Sequence, residues 1–226
     1  MTLARSIFEI IGPVMVGPSS SHTAGAVRLA ALARAIFGRQ PDVATVKLHG
    51  SFAATGDGHG TKLALTAGLL GLTCDDARIP DAFELAKSAG LRVLFEEITL
   101  DGAHPNTAVF VLEDIGTGAV MTMEGYSPGG GAVRICELDG YEVDIDGELP
   151  LLVVAHVDRQ GVIHAVSEVL TDAGVNIAAM KVSREHRGAK ALMLISCDVM
   201  PAPGTVARIA QLPHIRAARA VPALSN

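Results

Sequence analysis

Residues 151–184 read LLVVAHVDRQGVIHAVSEVLTDAGVNIAAMKVSR and contain two kinds of hydrophobic pattern in succession. The first seven residues are apolar except for His156, which is typical of a buried strand. Gly161 then opens a segment in which apolar residues recur at three- and four-residue steps, and Gly174 closes it, so this segment is predicted to be a helix. A second strand is predicted over Ile177 to Arg184.

The residues on the carboxyl side extend this pattern. Ala191 to Val199 is predicted to pair with the preceding strand through a polar loop, Thr205 to Leu212 to form a helix, and Ile215 to Val221 a last strand. The resulting order, βαββαβ over about 75 residues, is that of a ferredoxin-like domain. A Gly- and acid-containing segment near residues 140–150 indicates a boundary, so we expect one domain over residues 1–147 and a second over 148–226.

The residues on the amino side of this boundary predict a mixed layer of helices and strands. Helices are expected over Ser20 to Phe37, Thr61 to Leu70 and Pro80 to Ala89. The expected strands are Val43 to Phe52, Leu91 to Ile98, Thr107 to Glu113, Ala119 to Gly125, Ala132 to Leu138 and Tyr141 to Ile145. The whole chain is therefore predicted to be an α+β protein.

Composition restricts the possible functions. The 226 residues are 49% hydrophobic and 19% charged, which is enough to build a core, and the formal net charge of −6 gives no basic surface for nucleic acid or an anionic membrane. No apolar run reaches the ~20 residues that span a bilayer. Three scattered cysteines, Cys74, Cys136 and Cys197, form neither a disulfide framework nor a zinc motif. We therefore expect a soluble, cytoplasmic protein in which these residues bind no metal.

The segment Gly17-Pro18-Ser19-Ser20-Ser21-His22-Thr23 is the most informative of the polar motifs. It places four hydroxyl groups and one imidazole where a helix is predicted to begin. Free backbone N–H groups and the positive end of the helix dipole favour an anion there, such as a carboxylate. One serine could instead serve only as a helix cap, although a cap needs one hydroxyl and this segment has four.

Two further motifs carry a histidine next to a turn. His59 lies between Gly58 and Gly60, just before a predicted helix, and it could exchange protons near neutral pH. His104 is followed by Pro105 and enters a predicted strand. Each motif alone is weak evidence and is also compatible with an ordinary turn. The sequence contains no phosphate-binding loop, no dinucleotide-binding glycine motif and no lysine in a pyridoxal context, so it has polar binding groups without an electrophile of its own.

Several motifs together resemble the beta subunit of iron–sulfur-dependent L-serine dehydratases. The first is residues 10–25, IIGPVMVGPSSSHTAG. It is followed, in the order of that family, by Gly50-Ser51-Phe52, Gly58-His59-Gly60-Thr61, His104-Pro105-Asn106-Thr107 and Ser127-Pro128-Gly129-Gly130-Gly131. The resemblance covers essentially the whole chain. It implies an allosteric-substrate-binding (ASB) domain, also found in some phosphoglycerate dehydrogenases, followed by an ACT domain.

The resemblance also implies a reaction and a partner. Family members deaminate L-serine to pyruvate and ammonia, with a 4Fe-4S cluster that is held by cysteines of an alpha subunit. In the family scheme, an incompletely ligated iron assists departure of the hydroxyl while a base removes the Cα proton. By resemblance, Ser19, Ser20, Ser21, His22 and Thr23 would bind the substrate carboxylate and face the cluster. His59 would be the first candidate for proton transfer and His104 the second.

In the ACT domain, the resemblance to the serine-binding pattern of phosphoglycerate dehydrogenases implies an effector site at His156, Asp158 and Asn176, and in that pattern such residues grip the effector across a subunit interface. Asp158 stands where that pattern has an asparagine, and a carboxylate would repel the carboxylate of an amino acid. A dimerisation role for this domain is therefore an equal alternative. We also expect a homodimer through the ACT or ASB domain. The alternative function is a non-catalytic amino-acid sensor, against which the Ser- and His-rich loops argue.

Overall fold

Two separate sheets are formed by the residues that the computed structural model describes, namely 13–56 and 58–224. The described chain divides into one unit of residues 13–140 and 144–146 and a second of residues 141–143 and 147–224. This division lies close to the expected boundary after residue 147, which stays a prediction. Residues 10–12 of the first family motif and Asp57 of the glycine loop lie outside the described residues.

Strands and helices are numbered here in chain order. The strands are β1 (Val43–His49), β2 (Arg92–Ile98), β3 (Thr107–Asp114), β4 (Ala119–Gly129), β5 (Ala132–Leu138), β6 (Tyr141–Ile145), β7 (Leu151–Val157), β8 (Ile177–Arg184), β9 (Lys190–Cys197) and β10 (Ile215–Val221). The α-helices are α1 (Ala26–Phe37), α2 (Ser51–Ala54), α3 (Thr61–Leu70), α4 (Ala82–Ser88), α5 (Val162–Asp172) and α6 (Pro203–Ala210). A π-helical turn (Ser20–Gly25) precedes α1, and a 3-10 turn (Ile79–Asp81) precedes α4.

The first unit contains a six-stranded sheet in the order β2-β1-β3-β4-β5-β6. β1 pairs in parallel with β2 and antiparallel with β3, and the meander continues through β4 and β5. Alternate residues of these strands, such as Val46, Phe110 and Met123, stand in register and are fully buried. Leu29 of α1 packs over Gly125 of β4, where a Cβ would lie 2.8 Å from the leucine Cδ1. The helices therefore cover one face of this sheet.

The close packing of α1 on α3 depends on a glycine. A Cβ on Gly68 would collide with the carbonyl oxygen of Val27 and would lie 2.9 Å from the amide nitrogen of Ala31. One turn later, Gly71 lies next to the guanidinium group of Arg34. Because later residues of one helix face later residues of the other, α1 and α3 run in the same direction. Their amino ends are therefore brought together.

The second unit has a four-stranded sheet in the order β10-β7-β9-β8, in which every neighbouring pair is antiparallel. This is the strand order of a ferredoxin-like βαββαβ domain. Its core is made of buried residues from the sheet and the two helices: Leu152, Val154, Val166, Leu170, Met193, Ile195 and Ile209. The predicted α+β class, with a mixed domain followed by a ferredoxin-like one, is confirmed.

Several element boundaries differ from the predicted ones. The strand predicted over Val43 to Phe52 ends at His49, because Gly50 has a positive φ of 59° and the chain then turns into α2. The helix predicted from Ser20 begins with a π-helical turn and becomes an α-helix only at Ala26. α6 begins two residues earlier than predicted, because Pro203 is suited to a first helical turn. Within the described residues, no helix is both long and apolar enough to cross a membrane.

Candidate functional site

The π-helical turn of residues 20–25 carries the serine- and histidine-rich motif. Ser19 is its N-cap, with its hydroxyl accepting the backbone N–H of His22 at 3.2 Å. The capping interpretation is therefore correct for one of the serines. Thr23 lies on the inner side of the turn, where it is buried against Gly17. π-Helical turns interrupt a regular helix and occur often at functional sites.

His22 is held by three hydroxyl groups. Its Nε2 lies 3.0 Å from Ser51 Oγ and 3.2 Å from Thr55 Oγ1, and its Nδ1 lies 3.4 Å from Ser19 Oγ. The Thr55 hydroxyl donates its hydrogen to the carbonyl oxygen of Ser51 at 2.8 Å, so it can only accept from His22. A neutral ring with its hydrogen on Nε2 and with Nδ1 as the acceptor fits these contacts. Phe52 closes this pocket, with its ring edge-on to that of His22 at 5.3 Å.

The structure brings His59 next to His22. Their ring centroids lie 5.0 Å apart, and the rings are tilted by 43° to each other. His59 lies in the loop just before α3, and the π-helical turn lies just before α1, so the parallel packing of the two helices produces this contact. His59 is exposed, whereas His22 is half-buried. The pair therefore has one accessible imidazole and one that is fixed in orientation.

Burial and charge both act on His22. The pKa of its imidazole lies below the ordinary value of 6.5, first because burial disfavours the charged ring and second because His59 repels a positive charge on it. A hydrogen bond to the backbone of Ser51 acts in the opposite direction and is the smallest of the three causes. His22 is therefore neutral at neutral pH.

The turn at the His104 motif holds the backbone of two residues that contact His22. The carbonyl oxygen of Pro105 accepts the backbone N–H groups of Ser51 at 2.7 Å and Phe52 at 3.3 Å. Gly50 allows this approach, since a Cβ there would lie 2.9 Å from Pro105 Cα. Ser51, whose hydroxyl contacts His22, is thus fixed by a turn that is more than fifty residues away in the sequence.

His104 itself has separate partners. Its Nδ1 accepts the backbone N–H of Asn106 at 3.1 Å, and its ring stacks on Tyr126 with centroids 4.9 Å apart. Burial lowers the pKa of this imidazole below 6.5. The Asn106 side chain donates to the carbonyl oxygen of Ser127, which ties the turn to β4. None of these contacts joins His104 to the rings of His22 and His59.

Three buried hydroxyls close to these elements have no hydrogen-bond partner among the described residues: Thr23 Oγ1, Thr61 Oγ1 and Ser127 Oγ. Thr61 is the first residue of α3, and Ser127 packs directly against Gly25 of the π-helical turn. Buried hydroxyls usually have a partner, so these groups mark the region around both helix starts as one with unused hydrogen-bonding capacity.

The cysteines do not fit an iron–sulfur site. Cys74 lies in the loop after α3, where its thiol donates to the carbonyl oxygen of Val14, while Cys136 is in β5 and Cys197 in β9 of the other unit. Burial raises the pKa of all three thiols, that of Cys136 to about 11, whereas cluster ligands are thiolates. No group of three or more His, Cys, Asp or Glu side chains suited to a metal occurs in residues 13–56 and 58–224.

The predicted effector residues of the second unit do not meet within one chain. His156 lies near the end of β7 that pairs with Ala191, whereas Asn176 precedes β8 at the end that pairs with Cys197, about 20 Å away at ~3.3 Å per residue. Asp158 already binds the guanidinium of Arg184 at 2.9 Å.

The polar groups of this predicted effector site are either hydrogen-bonded within the chain or buried. Asp158 accepts the N–H of Gly188 at 3.0 Å, and the Asn176 amide donates to Asp198 at 2.7 Å. His156 is buried, and its Nε2 has no partner among the described residues. An effector that touched all three predicted residues would therefore need a second chain.

Two contacts of the site were missed by the sequence interpretation. Ser51 belongs to a motif that was recognised but given no role, and Thr55 was not singled out. Both reach His22 across about thirty residues of sequence. The available signal was the position of Gly50-Ser51-Phe52 directly after a strand, where a chain reversal exposes polar side chains.

Comparisons with known proteins give a family match in each of the two units. The family model described as "Serine dehydratase beta chain" matches residues 6–90, and the ACT domain model matches residues 151–214. A protein of Bacillus subtilis named "Probable L-serine dehydratase, beta chain" is 41% identical over 93% of this chain and 95% of its own length.

Further relatives share all or part of this organisation. The "L-serine dehydratase, beta chain" of Peptoniphilus asaccharolyticus is 42% identical over 79% of this chain and 81% of its own length. A "D-3-phosphoglycerate dehydrogenase" of Methanocaldococcus jannaschii is 38% identical over 36% of this chain and 16% of its own length. The chain belongs to the serine dehydratase beta chain family. The family resemblance of the sequence is thereby confirmed.

Proposed function

We propose that this chain is the beta subunit of an L-serine dehydratase, an L-serine ammonia-lyase that works with a separate alpha subunit. The reaction eliminates water from L-serine to give aminoacrylate, which hydrolyses to pyruvate and ammonia. Support comes from two beta-chain relatives that align with most of this chain. The same alignments favour a catalytic subunit over a free-standing amino-acid sensor.

The observation that carries the proposal is the pair of imidazoles at the start of α1 and α3, with ring centroids 5.0 Å apart. His59 is exposed and would take the Cα proton of L-serine, as a general base. His22 would act beside it as a neutral, hydroxyl-bound neighbour whose low pKa keeps a second positive charge out of the site. His104, the second candidate, is engaged by Tyr126 and Asn106 and would support the pocket instead.

The substrate carboxylate would bind at the π-helical turn. Ser19 caps this turn and Thr23 is buried on its inner side, so Ser20 and Ser21 are the side chains that we assign to the substrate, together with the backbone N–H groups of the turn. The ammonium and hydroxyl groups of L-serine would then point away from the turn. This orientation would leave the Cα proton within reach of His59.

The family resemblance implies a 4Fe-4S cluster as the cofactor of the proposed enzyme. We assign this cluster to the alpha subunit, because the three cysteines of this chain lie on separate elements. This chain would then contribute substrate binding and proton transfer. A thiol-ligated cluster suits a reducing compartment, so we place the enzyme in the cytoplasm. We also propose that the chain forms a homodimer.

The proposal is tested by turnover of the reconstituted two-subunit enzyme under anaerobic conditions. We expect His59→Ala to reduce turnover at least ~100-fold, in line with the usual contribution of a general base. His164→Ala is the matched control, since His164 lies exposed on α5 and should leave turnover unchanged. Near-normal turnover of His59→Ala would remove His59 from the mechanism.

A further inference from the structure

The strand β2 has an unpaired outer edge. It is the last strand of the six-stranded sheet, and none of the described strands pairs with the side that faces away from β1. Leu94 of this strand is 44% exposed, and Phe83 of α4, whose ring contacts that of Phe95, is 46% exposed. Unpaired backbone groups along such an edge, together with exposed apolar side chains, can template pairing with another chain.

The other three sheet edges carry features that discourage such pairing. β6 has only five residues, so it offers a short edge. β8 and β10 both contain an irregular register against their neighbours, which bends an edge away from a regular partner. β2, in contrast, pairs with β1 over seven residues without any shift of register. Its edge is therefore straight enough to accept a further strand.

The direction of the backbone groups restricts how a second strand could pair. The N–H of Arg92 bonds to the carbonyl oxygen of Asp42, so the even-numbered residues of β2 point their N–H and C=O groups towards β1. The backbone groups of Val93, Phe95 and Glu97 therefore point outwards. In an antiparallel pair of two β2 strands, these odd-numbered residues must face one another, because only they have free backbone groups.

One of the allowed registers makes the side chains complementary. When Leu94 faces Leu94 of a second copy, Val93 faces Phe95 and Arg92 faces Glu96 on both sides of the two-fold axis. The Val93–Phe95 pairs then supply the hydrogen bonds, and Leu94 forms the closely spaced non-hydrogen-bonded pair at the centre. In the next allowed register in either direction, Leu94 lies opposite Glu96 or Arg92. In the register after that, towards the carboxyl end, Glu96 lies opposite Glu96 of the second copy.

Both faces of β2 support this register. On one face, the carboxylate of Glu96 already lies 3.7 Å from Lys47 Nζ, so an Arg92 from a second copy would complete a charge-alternating row. On the other face, Phe95 of the second copy would lie over Val93, beside an open cavity of about 440 Å³ that Phe83, Ala86 and Leu91 also line. Opposite charges and apolar pairs directly across two strands stabilise pairing.

We propose that two copies of this chain associate through β2, with Leu94 opposite Leu94, to form one continuous antiparallel junction between their six-stranded sheets. This gives the proposed homodimer a defined surface in the first unit. It requires neither the ACT domain nor the alpha subunit. None of its residues belongs to the histidine site.

Cysteine cross-linking of the full chain tests the register. Leu94→Cys should form an intermolecular disulfide under mild oxidation, because non-hydrogen-bonded cross-strand pairs bring Cα atoms to about 4.5 Å. Glu96→Cys is the matched control, since its two copies would lie roughly 13 Å apart in this register. Cross-linking of Leu94→Cys alone supports the proposal. Equal cross-linking of both variants, or of neither, overturns it.

Sedimentation equilibrium of the full chain tests the surface. Leu94→Lys would place two like charges opposite each other, and we expect it to weaken self-association at least ~10-fold. Val120→Lys, at an exposed apolar position of β4, should leave self-association unchanged. A wild-type monomer at all concentrations, or a Leu94→Lys variant that still dimerises normally, overturns the proposal.

Turnover measured with the alpha subunit distinguishes a failure of this dimer proposal from a failure of the proposed enzymatic function. Leu94→Lys should retain near-normal turnover, because β2 does not contact the histidine pair. Loss of alpha-subunit binding in Leu94→Lys, with wild-type self-association intact, would assign the edge to the alpha subunit and contradict the proposal. Circular dichroism of each variant shows whether the fold is retained.

Discussion

The imidazole rings of His22 and His59 lie 5.0 Å apart, although thirty-six residues separate them in the sequence. Each ring stands just before a helix, and α1 and α3 run in the same direction with Gly68 at their contact. The histidine pair is therefore a product of helix packing. Its electrostatic consequence is a His22 side chain that favours the neutral form.

The titration of His22 provides a first prediction. Burial is the larger cause of its low pKa and repulsion by His59 the smaller one. We therefore expect His59→Gln to raise the pKa of His22 while leaving it below 6.5. NMR titration of the imidazole Cε1 proton measures this directly. An unchanged pKa of His22 in the His59→Gln variant would show that the two rings do not interact electrostatically.

The same shift has a consequence for stability. A histidine whose pKa is lower in the folded than in the unfolded chain makes the unfolded chain bind more protons, so stability decreases as pH falls. We expect the contribution of His22 to be lost from about pH 6.5 downwards, through its lower folded pKa. Urea unfolding at several pH values should show a smaller pH dependence for His22→Gln than for the wild type. An equal dependence would contradict this account of His22.

Gly68 is predicted to be essential for the packing that joins the two histidines. Gly68→Ala places a methyl group against the backbone of Val27 and Ala31, and backbone cannot move aside as a flexible side chain can. We expect it to lower the free energy of unfolding by about 1–3 kcal/mol. Gly204→Ala is the matched control, because a Cβ at that helical position meets nothing within 4 Å. Equal urea midpoints for the two variants would contradict this prediction.

Ser51 is predicted to be a positioning residue for His22. Ser51→Ala removes the hydroxyl that lies 3.0 Å from His22 Nε2 while leaving Pro105 to hold the backbone. We expect turnover to fall about 10-fold, with a changed pKa of His22, and Ser51→Thr to restore most of both. Ser167→Ala, on the exposed side of α5, serves as the control. A fall in turnover without any change in the His22 pKa would contradict a positioning role.

The polar contacts of the ACT domain lead to a prediction about effector binding. The pKa of Asp158 is lowered first by the N–H of Gly188 and then by Arg184, so this carboxylate is ionised and held by its own hairpin. It would repel the carboxylate of an amino acid. We expect any heat that the full chain gives with millimolar L-serine to be unchanged in His156→Ala, because it would come from the substrate site of the first unit. Saturable heat that disappears in His156→Ala would establish the effector site instead.

Much of the fold could be predicted from local patterns. The apolar run of β7 and the 3.6-residue periodicity of α5 give the second unit its element order, and strand order follows from the ferredoxin-like plan. The end of β1 was harder to predict. The chain leaves the strand at Gly50, where the carbonyl group of Pro105 bonds to the residues that follow. That approach is a long-range contact, which no periodicity encodes.

The candidate site was predictable in part for the same reason. His22 and His59 could be singled out by their residue types and by their positions before helices. Their mutual contact, and the hydroxyls of Ser51 and Thr55 around His22, depend on tertiary packing. The separation of Asn176 from His156 and Asp158 within one chain, which the strand register gives, fits the subunit interface that the resemblance implies.

The central claim is that this chain supplies binding and proton-transfer groups to an active site that a second chain completes. Anaerobic L-serine turnover, measured for the iron-free chain alone and after addition of the iron–sulfur alpha subunit, tests it most directly. We expect no pyruvate from the chain alone and full turnover from the mixture. Full turnover by the iron-free chain without its partner would contradict the claim.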